Sequence, residues 1–191
     1  ADQARRILDM LTQGGAMEDI NTPLALRLIP LALELEDQAL AEKLLVHAKT
    51  IAVDEIETGW ATFEQLKMED ASIDALSELA AHAETIEAAE SLAAAIAHHV
   101  SLLHMSNEAY EEAQMFASRS LRLREVINDE NGIVYGLALL EALAKKQHNH
   151  ETALVHGSRR IELLMKLKDE EGQMEAMADM GHSQATLGQF D

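Results

Sequence analysis

The amino-acid sequence predicts an all-α protein, an α–α solenoid of antiparallel helix pairs. Three observations predict it. The first is an internal repeat: residues 110–140 align without gaps on residues 150–180, at an offset of 40. Leu121 matches Ile161, Leu123 matches Leu163, Asp129-Glu130 matches Asp169-Glu170, Gly132 matches Gly172 and Leu140 matches Met180. The second is periodicity. Apolar residues recur at helical spacing, as in Leu137, Leu140, Leu143 and Ala144, and strand-like alternation is not sustained anywhere. The third is the supply of core residues, with 48% hydrophobic residues but only 3% aromatic. A core of Ala, Leu, Ile and Met suits close-packed helices and suits sheets poorly.

Taken in order, helices are expected at 3–12, 22–35, 38–52, 55–67, 72–86, 88–104, 108–126, 133–146, 150–168 and 172–186. Gly14-Gly15 ends the first. Thr22 before Pro23 reads as an N-cap with proline in the first turn, which opens the second. Pro30 falls inside that helix and is expected to kink it or end it early. Asn128-Asp129 to Gly132, and later Gly172, read as breakers. A small residue recurs near the start of every second helix, at Ala41, Ala75, Ala113 and Ala153, where two backbones must approach closely. The expected organisation is one array over residues 1–191. It has four pairs at 22–52, 55–86, 88–126 and 133–168, with unpaired helices at 3–12 and 172–186.

Composition excludes several functions. The net charge is −19, from 34 acids against 15 bases, so no basic stripe exists to neutralise nucleic-acid phosphates. An anionic membrane surface is disfavoured for the same reason. No apolar run approaches the ~20 residues that span a bilayer. The absence of cysteine removes disulfide and thiolate chemistry and fits a cytoplasmic protein. No Gly-rich phosphate loop or nucleophile elbow occurs.

The pattern resembles the tetratricopeptide repeat. Met180-Gly181 followed by Leu187-Gly188-Gln189-Phe190-Asp191 fits best. The preceding unit keeps Leu140, Ala153 and the Asp169 to Gly172 turn, but carries His148 and His150 where the family has glycine and an aromatic. Tyr110 and Ala113 keep the aromatic and the alanine of the unit before. The match is good over 94–191 and loose elsewhere. The resemblance implies a right-handed superhelix with a long concave wall, and the 40-residue form is similar to repeat regions of bacterial signalling proteins. It implies a non-catalytic module for protein or peptide binding. The expected setting is sensory or scaffolding, beside a diguanylate cyclase, histidine kinase or transcription-regulator domain. A small-molecule sensor that controls an attached output domain is the alternative.

Carried onto this chain, the family's groove positions are Ala95, His98, His99, Leu102 and Met105 in one helix. Tyr135, Ala138, Leu139, Ala142, Lys145 and Lys146 follow in the next, then Glu175, Asp179, His182 and Ala185. The expected partner-binding residues are His98, His99, Leu102, Tyr135, Leu139, Lys145, Lys146 and His182. Two readings of Lys145 and Lys146 stay open: they hold a partner's carboxylates, or they complement the dipole at a helix end. None of the groove residues is asparagine, which the family's carboxylate clamp requires. No cofactor or metal is expected. His98 and His99 point about 100° apart on a helix, and His148-Asn149-His150 lacks further ligands nearby. His104 is expected to be buried in place of an aromatic. The chain opens without methionine and stops at an inner turn, so it is expected to be part of a longer protein. Met180, Leu187 and Phe190 are then expected to leave an apolar end that promotes end-to-end association.

Overall fold

In the computed structural model of the chain, the described residues are Arg5, Arg6, Leu8, Met10 and 16–188. Those first four are helical; the remainder of the expected helix 3–12, and Gln189, Phe190 and Asp191, lie outside the described residues. The protein is all-α, with no strand among the described residues. Helices lie against their sequence neighbours, an arrangement compatible with a helical solenoid. The chain divides into two compact units, residues 1–79 and 80–191.

In the first unit a 3₁₀ turn, Ala16–Asp19, leads to α1 (Thr22–Glu34), α2 (Gln38–Ile51) and α3 (Glu55–Met68). The N-cap of α1 is Asn21, whose Oδ1 accepts from the Leu24 amide at 3.0 Å, and Thr22 is already helical. Pro30 neither ends α1 nor shortens it. It lies on the exposed side, only one turn from the C-terminus, while Leu28, Ile29 and Ala32 are buried against α2. Their burial offsets the ~3 kcal/mol that an interior proline costs. The core joins Leu8, Ile20, Ala25, Leu28, Ile29, Ala32, Ala41, Leu44, Leu45 and Ala48. Arg5 pairs with Asp37 at 2.5 Å, which holds that carboxyl below its usual range while it caps α2. The next helix, α4, spans Ile73–Ala83.

The second unit repeats one device. Its helices are α5 (Glu90–Ser106), α6 (Tyr110–Val126), α7 (Glu130–Lys146), α8 (His150–Leu167) and α9 (Glu170–Thr186). A left-handed residue stands at Ala88, Glu108, Asn128, His148, Lys168 and Gly188, one every 20 residues. After Glu108, Asn128, His148 and Lys168 the next residue donates its amide to a carbonyl five back, as Asp129 does to Arg124 and Asn149 to Ala144. This is the Schellman closure. That same residue opens the following helix. Asp129, Asn149 and Asp169 accept from the amides of Gly132, Thr152 and Gly172 at 2.9, 3.1 and 2.9 Å. Each helix thus ends and restarts within three residues.

The two expected breakers sit inside first turns instead. A Cβ on Gly132 would lie 2.0 Å from Asp129 Oδ2 and 2.8 Å from Arg124 Cδ, so the capping carboxylate occupies the space a side chain would need. Both α7 and α9 therefore begin earlier than the glycines implied. Of the four recurring alanines, Ala41, Ala113 and Ala153 are fully buried as expected, while Ala75 is half-buried. Leu121, Leu137, Leu139, Leu140 and Leu143 fill the space around Ala113 and Ala117.

Candidate functional site

The repeat places α5, α7 and α9 as first helices of successive hairpins, and the groove positions fall on one register of each. The stripe is Ala95, His98, His99 and Leu102 on α5, then Tyr135, Ala138, Leu139 and Ala142 on α7, then Glu175, Ala178, Asp179 and His182 on α9. Burial along it falls from α5 to α9. Ala95, His98 and His99 are half-buried, Tyr135 is 65% exposed, and all four α9 positions are exposed. Leu102 is 37% exposed. Leu139 is the exception: at 5% exposure it belongs to the core around Ala113 and Ala117.

The His98 ring is largely enclosed, and its Nδ1 has no hydrogen-bond partner. Burial, helped by the charges of Arg124 and His99, pushes its pKa down from 6.5 to about 4. The folded state therefore holds this ring neutral, while the unfolded chain protonates it below about 6.5. Its stabilisation is complete above 6.5 and is lost as pH falls toward about 4. In urea titrations at several pH values, His98→Gln is expected to lose less stability across this window than the parent chain. Equal losses would show that His98 does not carry the effect. His104 is half-buried and stacks on Phe116, with ring centroids 5.4 Å apart.

Lys145 is already engaged. Its Nζ lies 2.7 Å from Glu141 Oε1 and 3.3 Å from Asp179 Oδ1, so it bridges α7 to α9. Arg160 of α8 completes the cluster, with Nη1 3.1 Å from Asp179 Oδ2 and 3.7 Å from Glu141 Oε2, and Nη2 3.8 Å from Glu175 Oε2. Glu141 is only 1% exposed and Arg160 8%. Neither Glu141 oxygen is in hydrogen-bond geometry, so the two cations hold the carboxylate by charge and proximity. Lys146 next to it is exposed and has no ion pair among the described residues, and His182 is exposed.

Sequence reasoning missed Glu141 and Arg160, although the repeat carried a signal. At the offset of 40, Glu141 falls on Ser101 and Arg160 on Ser120. Those serines are also buried, and each donates its hydroxyl across the hairpin at 2.7 Å, Ser101 to the Ala113 carbonyl and Ser120 to the Ala94 carbonyl. Two small self-satisfied donors in one hairpin become an acid and a base in the next.

Among the described residues, no group of three or more His, Asp or Glu side chains is placed to hold a metal ion. No described helix is long and apolar enough to cross a membrane. No protein-family model matches this chain, and no curated protein matches it.

Proposed function

We propose that the chain is a non-catalytic recognition module that holds an extended peptide or a partner's helix along the α5–α7–α9 stripe. The tetratricopeptide-like pattern of the sequence supports this by analogy of fold. The observation that carries the reading is Tyr135, an aromatic side chain 65% exposed between the exposed Leu102 of α5 and the polar stripe of α9. Exposed aromatics flanked by polar groups are the usual anchors of binding surfaces. Leu102 and Tyr135, both exposed, suit apolar side chains of such a ligand. We place the module in the cytoplasm, as the sensory or scaffolding part of a bacterial signalling protein.

The test is selection of a random peptide library on the purified chain, with affinities measured by calorimetry. Enriched peptides are expected to bind about tenfold more weakly to Tyr135→Ala, equivalent to ~1.4 kcal/mol. An empty selection, or peptides indifferent to changes at both Tyr135 and Leu102, would remove this surface as the site.

A further inference from the structure

The 40-residue repeat lets two successive joints be compared position by position: α7 follows the α5–α6 hairpin as α9 follows the α7–α8 hairpin. At the first joint the contacts are apolar. Leu139 and Leu143 of α7 are 5% and 1% exposed in the core around Ala113 and Ala117 of α6, and Met105 at the end of α5 packs on the same core. At the offset of 40 these three positions become Asp179, Ser183 and Lys145. Asp179 is exposed and pairs with Lys145 at 3.3 Å. Ser183 is fully buried, and its hydroxyl has no hydrogen-bond partner. In the hairpin before the joint, Ser101 and Ser120 give way to Glu141 and Arg160, and Arg160 reaches Asp179 and Glu175 of α9. Met180 keeps a tight apolar contact, since a Cβ on Gly157 would lie 2.6 Å from its Cγ. The compared contacts all lie between α9 and the helices before it.

The two kinds of contact differ in stiffness. A gap of about 0.5–1 Å between packed apolar atoms forfeits roughly a quarter to a half of their attraction, and a buried leucine makes many such contacts at once. The attraction between two charges falls only inversely with distance, so the same shift costs a smaller fraction of it. Water also takes up what an exposed carboxylate such as Asp179 gives up. Glu141 adds no directional hold, because neither of its oxygens is in hydrogen-bond geometry. In an array where each unit touches only its neighbours, a soft joint is not braced by the others.

We infer that the joint between the α7–α8 hairpin and α9 is a compliant ionic hinge, at which the array bends, while the joint between the α5–α6 and α7–α8 hairpins stays stiff. Bending there displaces Glu175, Asp179 and His182 relative to Tyr135. The hinge exists whether or not the groove stripe binds a ligand.

The chain has no cysteine, so engineered pairs would carry the only spin labels. Ser91, Asn131 and Glu171 are exposed and occupy one position of α5, α7 and α9. Ser91→Cys with Asn131→Cys reads the first joint, and Asn131→Cys with Glu171→Cys reads the second. Distances from pulsed electron paramagnetic resonance on the 191-residue chain are expected to be about twofold more widely distributed across the second joint. Lys145→Met with Asp179→Leu installs the residues that the first joint carries, and is expected to narrow the second distribution to the width of the first. Circular dichroism checks that each labelled chain stays helical; where the exchanged chain does not, the comparison of the two joints in the parent decides. Equal widths at both joints of the parent would overturn the inference. So would a second distribution that stays broad in a helical exchanged chain, since the motion would then not belong to the ionic contacts.

Discussion

Arg160→Met is expected to lower the free energy of unfolding by about 3 kcal/mol, read from urea denaturation. The change leaves Glu141, 1% exposed, with Lys145 as its one remaining cation. A buried carboxylate that loses a partner keeps its desolvation cost and loses part of what offset it. The informative comparison is the double change Glu141→Leu with Arg160→Met, which removes both charges and keeps the volume. Lys145 then retains Asp179 at 3.3 Å. The double variant is expected within about 1 kcal/mol of the parent, so the two changes should be strongly non-additive. Strict additivity would mean that Glu141 and Arg160 do not act as a pair in solution.

Leu137→Ala should cost a similar amount, about 3 kcal/mol, while Met177→Ala should cost less than about 0.5 kcal/mol. The two residues occupy the same register of α7 and α9. They differ in cover: Leu137 is fully buried among Ala113, Ala117, Leu140 and Leu143, while Met177 is 54% exposed. A buried leucine cut to alanine loses its transfer energy and leaves a cavity, whereas an exposed methionine gives up little of either. Thermal and urea unfolding of the two variants at low protein concentration check this. A large loss from Met177→Ala would mean that the face is covered in solution.

The helices were legible because several signals agreed. The repeat fixed the pairing of 110–140 with 150–180, apolar spacing marked the buried faces, and Asp or Asn stood at the caps. Where one residue carried two meanings the reading slipped. Gly132 looks like a helix breaker, yet it sits in a first turn because the Asp129 carboxylate fills the space beside it. Pro30 looks like an early stop, yet neighbouring burial keeps α1 helical through Glu34. The groove stripe was carried over from the family resemblance by register. Register assigns a side chain to a helix face but not its depth, so Leu139 proved to be core while Tyr135 stood out. Lys145 carries two readings in the sequence, a cation for a partner or a complement to the helix dipole, and its pairing with Asp179 emerges only once α7 and α9 are side by side. Charged residues in so acidic a chain read as solvated, which hid Glu141 and Arg160.

The turns of the second unit impose a length rule. One residue closes each helix and its successor both completes that closure and opens the next, so neither can shift without the other. Deleting a single residue inside α7 would rotate the rest of that helix, and the His148–Asn149 turn with it, by about 100° relative to the helix's start. The unit of viable change is therefore a cassette. A 40-residue copy spliced in at an equivalent turn would keep every cap and every facing stripe in phase, so this chain can lengthen by duplication more readily than by small insertions.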